Sequence, residues 1–133
     1  MHIRTYHHQL SFSGAPAAND FAILHQQGYR FIVNNRPDEE PGEYLNHQQE
    51  KALAEQWGMG YVYLPYTFDT LTWETVYTFH YLLRRGEKSL AHCRSGARSA
   101  CLSLLYALRE GQIDEAQFRS QCAEYGADAD KAL

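Results

Sequence analysis

Apolar positions along the chain fall into short blocks, and three of these blocks repeat one pattern: a helical run, a glycine, then a brief apolar stretch. The glycines are Gly28, Gly58 and Gly86, spaced by 30 and 28 residues. The first unit is "NDFAILHQQ", Gly28, "YRFIVNN". Asn19 or Asp20 is placed to cap its helix, with Phe21, Leu24 and Ile23 facing inward. The second is "YLNHQQEKALAEQW", Gly58, "GYVYLPY", with Leu45, Leu53 and Trp57 as inner positions. The third is "TWETVYTFHYLLRR", Gly86, "KSLAHC", where Val76, Phe79 and Leu83 recur at helical spacing. Two further helices are predicted, from about Ser99 to Glu110 and from about Asp114, a good N-cap, to Tyr125. The N-terminal "HHQLSFSG" alternates and predicts one edge strand.

Strands alternating with helices of this length predict an α/β fold over residues 1–133. Its centre is a mainly parallel sheet of four to five strands, with helices on both faces. One domain with a real core fits the length, and a 44% hydrophobic, 21% charged composition is ordinary for a globular chain. Ligands of open α/β sheets collect at the carboxyl ends of strands. Residues 34–37, 66–69 and 92–99 stand at such ends. A net charge of −4 argues against a nucleic-acid binder and confines any anion site to one locality. No apolar run approaches the length of a membrane span, and "MHIRTYHHQL" has no apolar signal core. The three cysteines, Cys93, Cys101 and Cys122, are an odd number suited to a reducing cytoplasm.

The segment "HCRSGARS" at 92–99 carries the chemistry. A thiol attacks as its thiolate, a form favoured by a helix N-terminus or a nearby cation. Cys93 is predicted to have both, from the helix that follows and from Arg94 and Arg98. Gly96 lets the loop bend so that the amides of Arg94, Ser95, Gly96 and Ala97 turn inward as an anion nest. Arg98 adds a bidentate fork for an oxyanion. Ser99 can donate a hydrogen bond to the thiolate or relay a proton. Such a site suits attack on a phosphate ester or on the outer sulfur of thiosulfate or a persulfide. Cys101 and Cys122 fall on helical patterns and are expected in the core.

"HCRSGARS" together with "VNNRPDEEPGE" and their strand–helix context resembles the beta-lactamase-hydrolase-like family, in its phosphatase-like domain. That family is bacterial and related to dual-specificity and tyrosine phosphatases, and the resemblance runs from about Gln9 to Tyr125. It implies a protein-tyrosine-phosphatase-like fold, with Cys93 as nucleophile and Arg98 as oxyanion ligand. One departure stands out. Tyrosine phosphatases place five residues between cysteine and arginine, whereas four intervene here, as in the rhodanese (sulfurtransferase) loop. The long helix around "HQQEKALAEQW" departs from the rhodanese layout in turn. Hence three functions are open: a cysteine-dependent phosphatase, a sulfurtransferase carrying a sulfane sulfur on Cys93, and a non-catalytic phosphoanion-binding module.

Asp69, in "PYTFDTLT" after the third strand, is the candidate general acid, with the acidic triplet Asp38, Glu39, Glu40 as fallback. Arg36 either adds positive potential to the pocket or pairs within that triplet. His92 is expected to brace the cradle through backbone hydrogen bonds. Tyr66 and Phe68 are the two aromatic residues whose loop can line a pocket, while Tyr61, Tyr63, Tyr77 and Tyr81 read as core or half-buried. The scattered histidines lack metal-ligand spacing, so no metal and no cofactor are expected. The expected partner is a small anionic or phosphorylated molecule.

Overall fold

The repeated helix–glycine–strand unit runs its strands in one direction, since each helix carries the chain back to the amino end of the sheet before the next strand begins. The computed structural model describes residues 1–133. Its strands are β1 (Arg4–His7), β2 (Leu10–Ser13), β3 (Phe31–Asn34), β4 (Gly60–Tyr63) and β5 (Ser89–His92). Its helices are α1 (Asp20–Gln26), α2 (His47–Gln56), α3 (Trp73–Leu82), α4 (Ala97–Arg109), α5 (Glu115–Glu124) and α6 (Ala129–Ala132). The sheet order is β1-β2-β5-β3-β4. All neighbours are parallel except the β1–β2 hairpin. None of the helices is long and apolar enough to cross a membrane.

Strand side chains alternate between the two faces. Ile32 and Leu90 meet Phe21 and Leu24 of α1 and Ala54 of α2 on one side. Phe12, Phe31, Val33 and Ala91 meet Val76 and Phe79 of α3, Leu102 and Leu105 of α4, and Phe118 of α5 on the other. Gly28, Gly58 and Gly86 all lie at positive φ just beyond their helical segments, the left-handed cap that ends a helix without Cβ strain.

Three expectations are corrected. The N-terminal segment is a hairpin, because a turn at His8–Gln9 splits it, with Gln9 N–H donating to His7 Nδ1 at 3.1 Å. Of its two strands only β1 lies at an edge; β2 is buried at all four positions against β5. Trp57 and Ile23 are exposed, and the inner face of α2 is Glu50 and Ala54, with Leu53 half-buried. Tyr77 and Tyr81 also face solvent.

Cys101 and Cys122 lie fully buried in the larger core. Burial pushes the Cys101 thiol up from 9.0 to about 12, and Cys122 beside it adds to the shift. The unfolded chain therefore releases this proton first. Its stabilising contribution is complete below about pH 9 and is lost as pH rises toward 12. Denaturant melts across this range should show stability declining with pH, and Cys101→Ala should make the decline shallower. An unchanged slope in the variant would rule out this thiol as its source.

Candidate active site

Between the end of β5 and the start of α4 only Cys93, Arg94, Ser95 and Gly96 intervene. Gly96 turns the chain at φ 97°, ψ −16° and serves as N-cap of α4. Its N–H donates to Cys93 Sγ at 3.1 Å. The loop is pressed onto the end of β2. A Cβ on Gly96 would lie 3.2 Å from the Ser13 carbonyl, and one on Gly14 would lie 3.0 Å from the Arg94 carbonyl oxygen. Gly96 is thus required by its left-handed backbone, and Gly14 lets the two backbones approach this closely. Cys93 is 1% exposed and its N–H donates to Ser13 O at 3.4 Å, so the sulfur lies at the floor of the loop. Arg94 and Ser95 are exposed above it. Ala97 N–H points to Ser95 Oγ at 3.4 Å.

Ser99 has a different partner from the one expected. Its hydroxyl donates to Asn35 Oδ1 at 2.8 Å, and Asn35 Nδ2 donates to Leu64 O at 2.8 Å. The one hydroxyl proton is thereby committed to tying α4 to the ends of β3 and β4, and the sulfur takes its hydrogen bond from the Gly96 amide.

Arg98 is held by three of its five N–H groups. Nη1 and Nη2 donate to the two carboxylate oxygens of Glu40 at 2.6 and 2.8 Å, and Nη1 donates again to Tyr66 O at 3.1 Å. Tyr66 O–H returns a bond to Arg98 O at 2.6 Å. What remains is Nε–H and one N–H of Nη2. These share one edge of the planar guanidinium and suit two oxygens of an oxyanion. Burial acts to lower the Arg98 pKa, but Glu40 and the nearby Cys93 sulfur outweigh it and raise it. Tyr66 is buried and serves as a strut between loop and helix, not as a pocket wall.

Beneath the loop runs a polar chain that sequence reasoning missed. His92 Nε2 lies 2.7 Å from Glu50 Oε1, both side chains being buried, and His92 Nδ1 lies 3.4 Å from Cys93 O. Tyr61 O–H donates to the same Glu50 oxygen at 3.2 Å and accepts from Asn34 Nδ2 at 3.0 Å. Asn34 Oδ1 accepts Arg36 N–H at 2.9 Å. Burial, reinforced by the Glu50 carboxylate, raises the Tyr61 pKa and keeps its proton in place. One signal pointed to Glu50: it stands four residues before Ala54 and three before Leu53, on the inward face of α2.

Arg36 is buried, with Nη2 donating to Glu40 O at 2.6 Å and its guanidinium carbon 4.1 Å above the Tyr44 ring. Asp69 is exposed in the Thr67–Thr70 turn, three residues after Tyr66, and lines a surface depression with Phe68 and Lys131. The fold thus brings Cys93, Arg98, Glu40, Arg36 and the Tyr66 loop to one end of the sheet. Asp69 lies further along that loop, exposed beside Phe68 and Lys131, and makes no hydrogen bond or ion pair with Cys93, Arg98, Glu40 or Arg36.

The sequence matches the family described as beta-lactamase hydrolase-like protein, phosphatase-like domain, over residues 2–110. It is 35% identical over 120 residues to the Beta-lactamase hydrolase-like protein of Agrobacterium fabrum, covering 89% of this chain and 27% of that one. The Xylella fastidiosa 9a5c protein of the same name is 28% identical, over all of this chain and 31% of its own. The chain therefore spans about a third or less of these curated relatives. Among solved structures, a candidate phosphatase of Neisseria meningitidis z2491 superimposes with a TM-score of 0.82 at 25% identity, covering 97% of this chain and 96% of the other. The core catalytic domain of the Saccharomyces cerevisiae PP-IP phosphatase SIW14, in complex with citrate, gives 0.76 at 14% identity, over 98% of this chain and 80% of the other. The fold is that of the protein-tyrosine-phosphatase-like α/β domains.

The glycine contact makes a testable demand. Gly96→Ala places a Cβ at positive φ against the Ser13 backbone, and should destabilise the protein by about 1–3 kcal/mol in denaturant melts. An alanine variant of unchanged stability would show that the loop does not need this backbone conformation.

Proposed function

Because the chain belongs to the beta-lactamase hydrolase-like phosphatase-like domain family, we propose that it hydrolyses phosphate monoesters through a phosphocysteine intermediate. The observation that carries this reading is the pairing of Cys93 Sγ with the Gly96 amide at the start of α4, beside an arginine with one bidentate edge left over. The Cys93 thiolate attacks phosphorus along the line of the ester bond. Arg98 and the loop amides take the non-bridging oxygens, where charge is greatest in the transition state. As the S–P bond forms, the P–O ester bond breaks, and Asp69 gives its proton to the departing oxygen. Water then attacks phosphorus and returns a proton to Asp69. The S–P bond breaks, releasing inorganic phosphate and restoring the thiolate.

In this scheme the buried polar chain keeps the loop in register. His92 anchors the Cys93 carbonyl side, Glu50 anchors His92, and Ser99 ties the first turn of α4 to Asn35. Arg94 and Ser95, at the exposed rim, meet the substrate first.

The four-residue spacing between Cys93 and Arg98 favours one competing reading, sulfur transfer through a persulfide on Cys93. The same preparation, given an aryl phosphate and then thiosulfate with cyanide, separates the two. Phosphate turnover and phosphate trapped on Cys93 support hydrolysis, whereas a one-sulfur mass gain overturns it. Cys93→Ser should abolish turnover of the aryl phosphate; residual activity would exclude the thiol as nucleophile.

Asp69→Asn gives a second test. It should lower kcat on an alkyl phosphate by about 100-fold, with a smaller loss on a nitrophenyl ester whose leaving group needs less protonation. An unchanged kcat on the alkyl phosphate would assign the proton to another group.

A further inference from the structure

The Glu40 carboxylate lies between two guanidinium groups. Its oxygens take the end of Arg98 at 2.6 and 2.8 Å, while Oε1 also lies 3.8 Å from Arg36 Nε. That last distance is too long for a hydrogen bond. Arg36 is 3% exposed, and its Nε is the one buried side-chain nitrogen or oxygen in the protein without a partner. An unpaired donor on a buried cation is costly, and native interiors rarely leave one. One carboxylate here faces two positive charges, so the slot is under-filled in both charge and hydrogen bonds.

The segment holding Glu40 can yield. Residues 37–44 form turns and bends without strand pairing, and 39 and 41–44 are exposed. Glu40 itself is fixed through the two arginines and a turn bond from its N–H to Pro37 O at 3.2 Å.

We propose that Arg36 and the end of Arg98 form a second anion subsite beside the nucleophile loop, with Glu40 as a resident occupant that an anionic group of the substrate displaces. A tetrahedral phosphoryl group carries more charge than a carboxylate and has a further oxygen. It can hold both Nη groups of Arg98 and still offer an acceptor to Arg36 Nε. Arg98 then bridges two anions, the end of its fork on the second group and its side edge on the group at Cys93. The ligand class is a molecule with two neighbouring phosphoryl groups. The subsite is a binding property independent of turnover; that one of its two phosphoryl groups is cleaved rests on the phosphatase reading above.

Calorimetric titration of the Cys93→Ser protein, residues 1–133, with inorganic phosphate and with methylenediphosphonate tests this. The diphosphonate should bind about tenfold more tightly than phosphate. Adding Glu40→Gln, which removes the competing charge, should tighten the diphosphonate by a further factor of about ten. Adding Arg36→Met should reduce its advantage over phosphate to within about twofold. Equal binding of the two ligands overturns the subsite, as does weaker diphosphonate binding in Glu40→Gln, which would make Glu40 a fixed strut. If Arg36→Met does not fold, the Glu40→Gln comparison decides alone. The wild-type protein separates the two claims. Diphosphonate preference without phosphatase turnover overturns the catalytic reading only, and turnover without that preference overturns the subsite only.

Discussion

A glycine amide hydrogen-bonded to a sulfur holds this end of the molecule together. For Gly96 N–H to reach Cys93 Sγ, the chain must reverse within four residues of β5 and enter α4 through a left-handed glycine. That reversal brings the loop close to the end of β2, where neither Gly14 nor Gly96 puts a side chain in the way. The parallel register of β2 with β5 sets the depth of the contact, bringing Ser13 opposite His92. The site is therefore a consequence of sheet register as much as of the loop's own residues.

A second layer of constraint lies below. Glu50, His92, Tyr61 and Asn34 connect α2, β5, β4 and β3 across the carboxyl end of the sheet. Burying an acid and an imidazole together is weak support for stability, since apolar residues of the same volume pack at least as well. Such a pair does impose geometry. The pair orients His92, the residue just before Cys93. Removing either member leaves the other buried without its partner, the more damaging defect.

Loop length and scaffold point to different chemistries, and fold alone does not choose between them. The short Cys-to-Arg spacing makes a compact cradle. Around it, however, Arg98 is clasped by Glu40 and by the Tyr66 loop. The surroundings of Arg98 thus extend beyond the loop into the segment after β3, which a reading confined to "HCRSGARS" leaves out.

The helix–glycine–strand rhythm was legible because it depends on local physics: helical spacing, caps and left-handed glycines act within a few residues of one another. The same holds for Cys93, Gly96 and Arg98, whose grouping is a property of one short segment. The hairpin was misread as a single strand because alternation continues through its turn. Glu50 was missed because a carboxylate on a helix is ordinarily solvated, and its burial is tolerable only with partners remote in sequence, His92 and Tyr61. Ser99 was linked to the sulfur because they are close in sequence, yet Asn35 is the partner that folding delivers. The sequence by itself determined the α/β architecture, the Cys93 segment and its glycine hinge, since short-range sterics and periodicity specify them. Only the tertiary structure decided which acids meet which cations, because those pairs form between residues that chain entropy keeps apart until the sheet has assembled.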